Sequence, residues 1–524
     1  MSSTTKNDFQ IGVECFVEAN KKCWKKTEEP ASGDGWIYVL HTLHSEFTLS
    51  VLEDIVAKGI QRQTSLPIVS IVSGKKDELA RLTQEMDISF GIDQRYHLSY
   101  YDYNNEEIEK IAKKMSSDTY GDKDGLINLT YRDIRFGDSL YDDILRRGIR
   151  KRRGDIFDCF EITQEKYYAF IRNALAIIDQ AYELFKKRTP RYLITTEYFY
   201  TKALYAHVAN ALGAKILITS VNCPDIVVQI NPDKYRMSDI KYADITRIHM
   251  EKCLQENRVN DVYDKDFFVR EADQTKNVEI SKDNRRKNVF VLPHAFSDSP
   301  REACRHNIYH DYAECFCDTL RIIRNIPNIN WFIKDHPWSD YYGQSSYFKS
   351  IFEKYKADHM YWVDKDCAGI NIKDFTDCVL TCAGDAGIEY WAYGIPTITV
   401  ADGYYCNWGI SYQMRTLDEY ESMLKNIENV EKPSEQSVNL AKKYLFAYKS
   451  WFKKKDELVK LLIEFRQSEE AIWKTNGVPY GEQDSVDQQL GRVTRDFCEA
   501  YAELLQKSDL KLSEIYLLNN LVEA

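Results

Sequence analysis

The chain has 524 residues, 44% hydrophobic and 29% charged, which exceeds one ordinary domain and is too apolar for a disordered polymer. A formal net charge of −11 argues against non-specific nucleic-acid binding, and the lack of any apolar run near about 18 residues argues against a membrane span. The 13 cysteines include no Cys-x-x-Cys, and Cys315-Phe316-Cys317 is too tight for ordinary metal spacing. With no signal-peptide pattern at the start, they read as reduced thiols of a cytoplasmic protein.

An amphipathic piece over residues 9–24 precedes a Pro-Ala-Ser-Gly-Asp-Gly linker. Residues 36–40 form a short apolar β-prone run, and Phe47, Leu49, Val51, Leu52 and Ile55 then recur at helical spacing. The loop between carries His41 and His44 but no glycine, so it is not a dinucleotide fingerprint. His41 is either an acceptor-contacting or proton-transferring group at the ligand edge or a satisfied core histidine, and His44 is a candidate acceptor contact.

The next strand is predicted over 66–72 and a helix over 77–87, followed by alternating helical and polar pieces over 95–130. Arg146, Arg147, Arg150, Lys151, Arg152 and Arg153 make a basic cluster on an acidic chain, suited to an anionic acceptor or a membrane phosphate surface, or simply to a solvated helix face. A long helix over 165–187, a strand over 191–195, a helix over 201–212 closed by Gly213 and a strand over 215–219 complete a β–α series. Glu197 and Tyr198 lie in the exit loop of the 191–195 strand, facing the presumed cleft.

Residues 225–285 turn polar and irregular, and a second sheet is predicted to start at 288–292. Its exit loop holds His294 and Asp298, the latter within a Ser-Asp-Ser-Pro helix-start pattern. A helix over 312–324 leads to a strand over 328–333 ending in Lys334-Asp335-His336-Pro337. The stretch 379–400 reads as strand, glycine turn, helix, Gly-Pro turn and strand, a βαβ unit that requires a parallel sheet. Gly384 and Gly387 flank the helix start, where Asp385 and Ala386 offer first-turn amides to a phosphate and Glu389 lies near a ribose. Helices are predicted over 416–426 and 434–466, and helical periodicity continues through 480–524.

The fold class is therefore α/β, a GT-B arrangement of two Rossmann-like doubly wound domains facing a cleft, with C-terminal helices. The expected division is 1–275 for the acceptor domain, 276–450 for the nucleotide-donor domain, and 451–524 for a helical extension packing back on the first. Neither Gly-x-Gly-x-x-Gly after the first strand nor a P-loop is present, which removes the best evidence for dinucleotide oxidoreduction and P-loop phosphoryl transfer. Of three Asp-Lys-Asp triplets only Asp364-Lys365-Asp366 follows a predicted strand, and it reads as a solvated turn, so no metal and no cofactor are expected. The leaving phosphate would then meet protein donors: the turn at 384–387, His336 and Lys334. The high aromatic content, with 36 Tyr, suits either sugar contacts or packing.

The segments 291–298, 331–337, 381–389, Gly394-Ile395-Pro396 and Tyr404-Tyr405 through Gly409 resemble the bacterial capsule and surface polysaccharide biosynthesis family, which includes Kdo transferases. Arg135-Phe136-Gly137-Asp138-Ser139-Leu140-Tyr141-Asp142 resembles a segment of that family's first domain. The same second-domain motifs are similar to bacterial sialyltransferases and teichoic-acid polymerases, which share His-Pro and use cytidine nucleotides. The resemblance implies a CMP-activated acidic sugar as donor, a glycan or lipid-linked glycan as acceptor, and peripheral contact with a membrane or a capsule-assembly complex. It implies that His336 contacts the CMP phosphate, residues 384–387 hold it at the helix start and Glu389 lies near the ribose. The turn departs from the usual Ser-Ser or Gly-Thr form in having Ala383-Gly384-Asp385-Ala386, and an Asp beside a phosphate is unfavourable unless it points away. Catalytic candidates are Asp298, His294, Glu197 and His41, with a base required for inversion and a carboxylate nucleophile for retention. Tyr198, Arg135 and Asp138 join His44 as acceptor candidates. Competing readings are a CDP-polyol phosphotransferase, a UDP- or GDP-sugar transferase and a non-catalytic scaffold.

Overall fold

The structure, a computed structural model, describes residues 7–24, 35–42, 47–73, 78–92, 94–149, 157–196, 198–219, 227–230, 241–255, 286–340, 342–365, 367, 372–450, 457–476 and 484–507. Its first half contains β1 (Trp36–Thr42), β2 (Ile68–Ser73), β3 (Gln94–Leu98), the short hairpin β4 (Thr130–Tyr131) and β5 (Ile134–Arg135), β6 (Pro190–Thr195), β7 (Lys215–Thr219) and β8 (Val227–Ile230). The main sheet runs β3-β2-β1-β6-β7-β8, parallel except for the antiparallel β8 edge. β1 is buried on both faces, so Trp-Ile-Tyr-Val-Leu reads as one hydrophobic run rather than an alternation. Its side chains nevertheless divide: Ile37 and Val39 pack into one core, Tyr38 and Leu40 into another.

The first of these cores lies beneath α1 (Asp8–Cys23), α2 (Phe47–Thr64) and α3 (Glu78–Ser89). The opposite face is covered by α4 (Glu106–Thr119), α5 (Lys123–Ile127), α6 (Gly137–Asp143), α7 (Gln164–Lys187) and α8 (Tyr200–Ala211). α6 runs directly into a π-helical turn, Ile144–Ile149.

The second sheet is built from β9 (Asn288–Val291), β10 (Asn330–Lys334), β11 (Met360–Val363), β12 (Cys378–Thr381), β13 (Thr397–Thr399) and β14 (Tyr412–Gln413), in the order β11-β10-β9-β12-β13-β14 and wholly parallel. α9 (Tyr242–Gln255) precedes it, and α10 (Tyr312–Ile323), α11 (Ser345–Tyr355), α12 (Ala386–Ala392), α13 (Leu417–Lys425) and α14 (Glu435–Ser450) follow in turn. Both sheets thus place their first strand beside their fourth, with the chain reversing direction across the sheet at that pair. This is the doubly wound Rossmann order, and ligands bind where the order reverses, outside the carboxyl ends of the strands. α15 (Glu457–Asn476) and α16 (Asp484–Lys507) return to the first domain, where Tyr501 stacks on Phe16 of α1 at 4.6 Å and its hydroxyl donates to Asn20 at 2.7 Å. Two Rossmann-like domains with helices returning from the second to the first constitute the GT-B fold.

Two local readings differ. α9 falls inside the expected first domain, yet its Met250 packs with Ile388, Trp391, Tyr405 and Tyr444 of the second, so the chain has crossed over before residue 256. Ser-Asp-Ser-Pro starts no helix. Residues 297–311 run as turns and bends, and the helix begins only at Tyr312, where Asp311 caps it through Glu314 N–H at 2.8 Å.

Candidate active site

The second sheet reverses between β9 and β12, and the loops leaving these two strands carry His294 and the Gly384 turn. The neighbouring β10 delivers Lys334, Asp335 and His336 to the same edge. His294 stacks on Tyr312 with ring centroids 4.4 Å apart, and its Nε2 accepts the Ala383 N–H at 3.3 Å. That bond consumes the Nε2 lone pair, so neutral His294 carries its proton on Nδ1, which meets no acceptor within the described chain. His336 is held in the complementary way. Its Nδ1 accepts the Trp338 N–H at 3.1 Å, leaving Nε2–H to project. Two imidazoles are thereby locked as neutral N–H donors by two backbone amides.

Burial, His294 and Lys334 together hold the His336 pKa down at about 3, and burial holds His294 below the ordinary imidazole value despite Asp298 and Asp385. Desolvation without a compensating anion penalises further positive charge here, and a phosphate would relieve it. The Gly384 and Asp385 amides, whose hydrogens find no acceptor in the described chain, border the same space. A pH dependence follows. Between about 6.5, where an unfolded histidine titrates, and 3, where folded His336 does, the unfolded chain binds more protons, so stability is lost as the pH falls below 6.5. The melting temperature of the parent is expected to fall more between pH 7 and pH 5 than that of His336→Gln; equal slopes would show that His336 does not carry this effect.

The wall opposite comes from the first domain. Arg146, on the π-helical turn, donates to Tyr200 Oη at 2.8 Å and lies 4.6 Å over its ring. Tyr200 Oη in turn reaches the Ser297 carbonyl at 3.4 Å, across the domain boundary and close enough to Asp298 to feel its charge. Tyr200 (φ 54°) and Ser299 (φ 50°) both hold left-handed backbone, a conformation that costs non-glycine residues about 1–3 kcal/mol and that persists where surrounding structure enforces it. They face each other beside Asp298, whose half-buried carboxylate borders His294.

The other candidate residues separate clearly. Lys334 is buried and donates to the Lys365 carbonyl at 3.1 Å, towards the neighbouring strand. Glu389 lies half-buried in the first turn of α12. Asp385 is exposed, and Ala386 opens a helix of only seven residues. Gly387 is a correction: its missing Cβ makes room for Tyr405, whose hydroxyl would lie 2.0 Å from such an atom, so it serves packing under the turn rather than ligand approach. Gly384, by contrast, abuts His294 itself, with a Cβ there 3.1 Å from Nε2.

His41 is also a correction. It points away from the cleft, fully buried beneath α2 and α3, with Glu53, Asp54 and Asp87 around its ring. Tyr198 is buried with its hydroxyl 3.1 Å from His207, and so contacts no acceptor. Asp138 is buried too, paired with Lys241 at 2.8 Å, Arg301 at 3.0 Å and Arg135 at 3.3 Å. It joins Glu302, Ser139, His207 and Asp142 in a polar network that ties α6 to the loop after β9. Burial pushes the Glu302 pKa up, but Lys241, His207 and Ser139 outweigh it and bring it to about 2. Asp138 therefore fastens the domains together through Lys241 and Arg301, and Arg135 pairs with it from within the first domain. Glu197, His44, Asp366 and the basic positions 150–153 lie outside the described residues.

Arg146, Tyr200, Lys241, Arg301, Glu302 and His207 were not picked out individually in the sequence. Only Arg146 carried a signal, as the first member of the basic cluster.

No family model matches the chain, and no curated protein matches it. Similar solved structures include the Thermosulfurimonas dismutans KpsC β-Kdo 2,4 transferase, at 12% identity and TM-score 0.30 over 48% of this chain and 87% of that one. MurG of Acinetobacter baumannii is similar at 9% identity and TM-score 0.24 over 83% and 99% of the two chains. A UDP-N-acetylglucosamine 2-epimerase is similar at 12% and 0.24 over 86% and 98%. Likenesses this distant bear on neither substrate nor reaction; the fold assignment stands on strand order and on the returning helices.

Proposed function

We propose that the chain is a glycosyltransferase of bacterial surface glycan synthesis, moving Kdo or a related acidic sugar from a CMP-activated donor to a glycan or glycolipid acceptor without a metal ion. The observation that carries this is the pair of neutral N–H donors, His294 Nδ1–H at the reversal point of the second sheet and His336 Nε2–H beside it on the same strand edge. They suit the phosphate of a nucleotide monophosphate leaving group, whose developing charge they would meet by hydrogen bonding. Asp298, across from Tyr200 and Arg146, is the carboxylate placed to take the acceptor hydroxyl's proton. Tyr200 and Arg146 border the acceptor side. The resemblance of segments 291–298, 331–337 and 381–389 to capsule Kdo transferases supports a cytidine nucleotide and an acidic sugar. Among the described residues no helix is long and apolar enough to cross a membrane, and the reading places the chain in the cytoplasm, meeting lipid-linked acceptors at the membrane's inner face.

Thermal shift across CMP, CDP, UDP, GDP and ADP tests the nucleotide. Saturation a hundredfold above Kd adds about 2.7 kcal/mol of apparent stability. CMP is expected to raise the melting temperature of the parent and to fail with His336→Ala. A shift with UDP or GDP alone would replace the Kdo-type reading by an ordinary nucleotide-sugar transferase, a preference for CDP would favour a CDP-polyol transferase, and no shift with any nucleotide would favour a scaffold.

A further inference from the structure

The buried cluster around His41 lies on the face of the first sheet away from the cleft and plays no part in the chemistry above. His41, Glu53, Asp54 and Asp87 are each 0–2% exposed. His41 Nε2 stands 3.1 Å from Asp54 Oδ1 and 3.0 Å from Asp87 Oδ1, and the three ligand atoms lie within 4.8 Å of one another. A proton on Nε2 points at only one of two nearly equidistant oxygens, whereas a tetrahedral ion bound at about 2.0–2.2 Å spaces its ligands at roughly 3.3–3.6 Å, a few tenths of an ångström wider than these contacts.

The outer atoms of two of these three groups are already committed. His41 Nδ1 pairs with Glu53 Oε2 at 2.8 Å, and Glu53 is itself fixed by the Thr196 N–H at 2.8 Å. With an ion bound, that contact keeps the imidazole proton on Nδ1 and turns the Nε2 lone pair to the ion, as in carboxylate–histidine–metal triads. Asp87 Oδ2 accepts Arg95 Nη1 at 2.7 Å. Asp54 Oδ2, by contrast, is buried and has no hydrogen-bond partner, so a proton there would find no acceptor while a metal ion would take both oxygens. Three carboxylates, Glu53, Asp54 and Asp87, crowd around one imidazole, and a divalent ion takes the place of the protons that would otherwise hold them together.

We infer that His41, Asp54 and Asp87 form a closed structural site for a divalent transition ion, best matched by zinc. One imidazole and two carboxylates suit zinc, and complete burial leaves no open position for substrate. The ion fastens α2 and α3 to the carboxyl end of β1, and through Glu53 to the end of β6. It is distinct from the transfer chemistry, which stays metal-independent.

The full chain, stripped with a strong chelator and given zinc chloride, is expected to bind one equivalent by elemental analysis and to gain several degrees in melting temperature. Asp54→Asn, which removes one ligand charge at constant shape, is expected to lose both effects. Cobalt(II) in the parent is expected to give the visible spectrum of a nitrogen–oxygen site without thiolate charge-transfer bands, a readout independent of whether the variant folds. Absence of zinc uptake or stabilisation in the stripped parent, retention of a full equivalent by Asp54→Asn, or thiolate bands with cobalt would each overturn the assignment and leave the cluster held by protons.

Discussion

Asp138→Ala is expected to destabilise the protein by about 3 kcal/mol, because it leaves the buried Lys241 with Glu302 alone at 3.4 Å and takes the carboxylate from the part-buried Arg301. The half-exposed Arg135, also within 3.3 Å of Asp138, contributes far less, and Arg135→Ala is expected to cost no more than about 1 kcal/mol. The contrast separates a domain lock from an acceptor site. An acceptor contact would change the acceptor KM with little effect on unfolding, whereas the lock changes the urea midpoint. The network is cooperative, since Asp142 accepts the Arg301 N–H at 3.0 Å and the Glu302 N–H at 2.8 Å, so losing one member loosens the whole loop after β9. A loss below about 1 kcal/mol for Asp138→Ala would show that the two domains are not fastened here.

Asp298→Asn is expected to reduce sugar transfer by about 10²–10⁴-fold, the usual contribution of a positioned base, while leaving nucleotide binding intact. The carboxamide keeps the shape of the side chain but takes no proton from the acceptor hydroxyl. Because Asp298 lies half-buried at the cleft and outside the domain lock, its loss is expected to move the melting temperature little. Unchanged turnover in Asp298→Asn would exclude it as the base, and loss of CMP binding together with turnover would assign it to the donor site instead.

The β–α rhythm was legible because parallel strands buried on both faces appear as near-continuous apolar runs: residues 36–40 and 331–333 are of this kind, and 66–72 is broken by the buried Ser70. β3 was not, since Gln94–Leu98 is an edge strand, half-exposed and polar in composition. The proposed donor wall was legible for a related reason. His294, His336 and Gly384 each follow directly on a strand, so their place at the ligand edge is a matter of counting from β9, β10 and β12. The lock between the domains was hidden, because Asp138, Lys241 and Arg301 are far apart in the chain and a charge pair formed at such distance leaves no local pattern. Burial also decides cases that sequence leaves open. His41 sits one residue from the end of β1, where either face of the sheet was possible, and the alternation with Ile37 and Val39 turns it inward.

The most direct test of the central claim is nucleotide release from a CMP-activated acidic sugar. The parent chain would be incubated with CMP-Kdo and an extracted lipid-linked surface glycan, with CMP quantified by chromatography and the acceptor by mass spectrometry. CMP is predicted to accumulate in step with an acceptor heavier by one acidic sugar. Absence of CMP release, together with release of UDP or GDP from their sugars under the same conditions, would contradict the account.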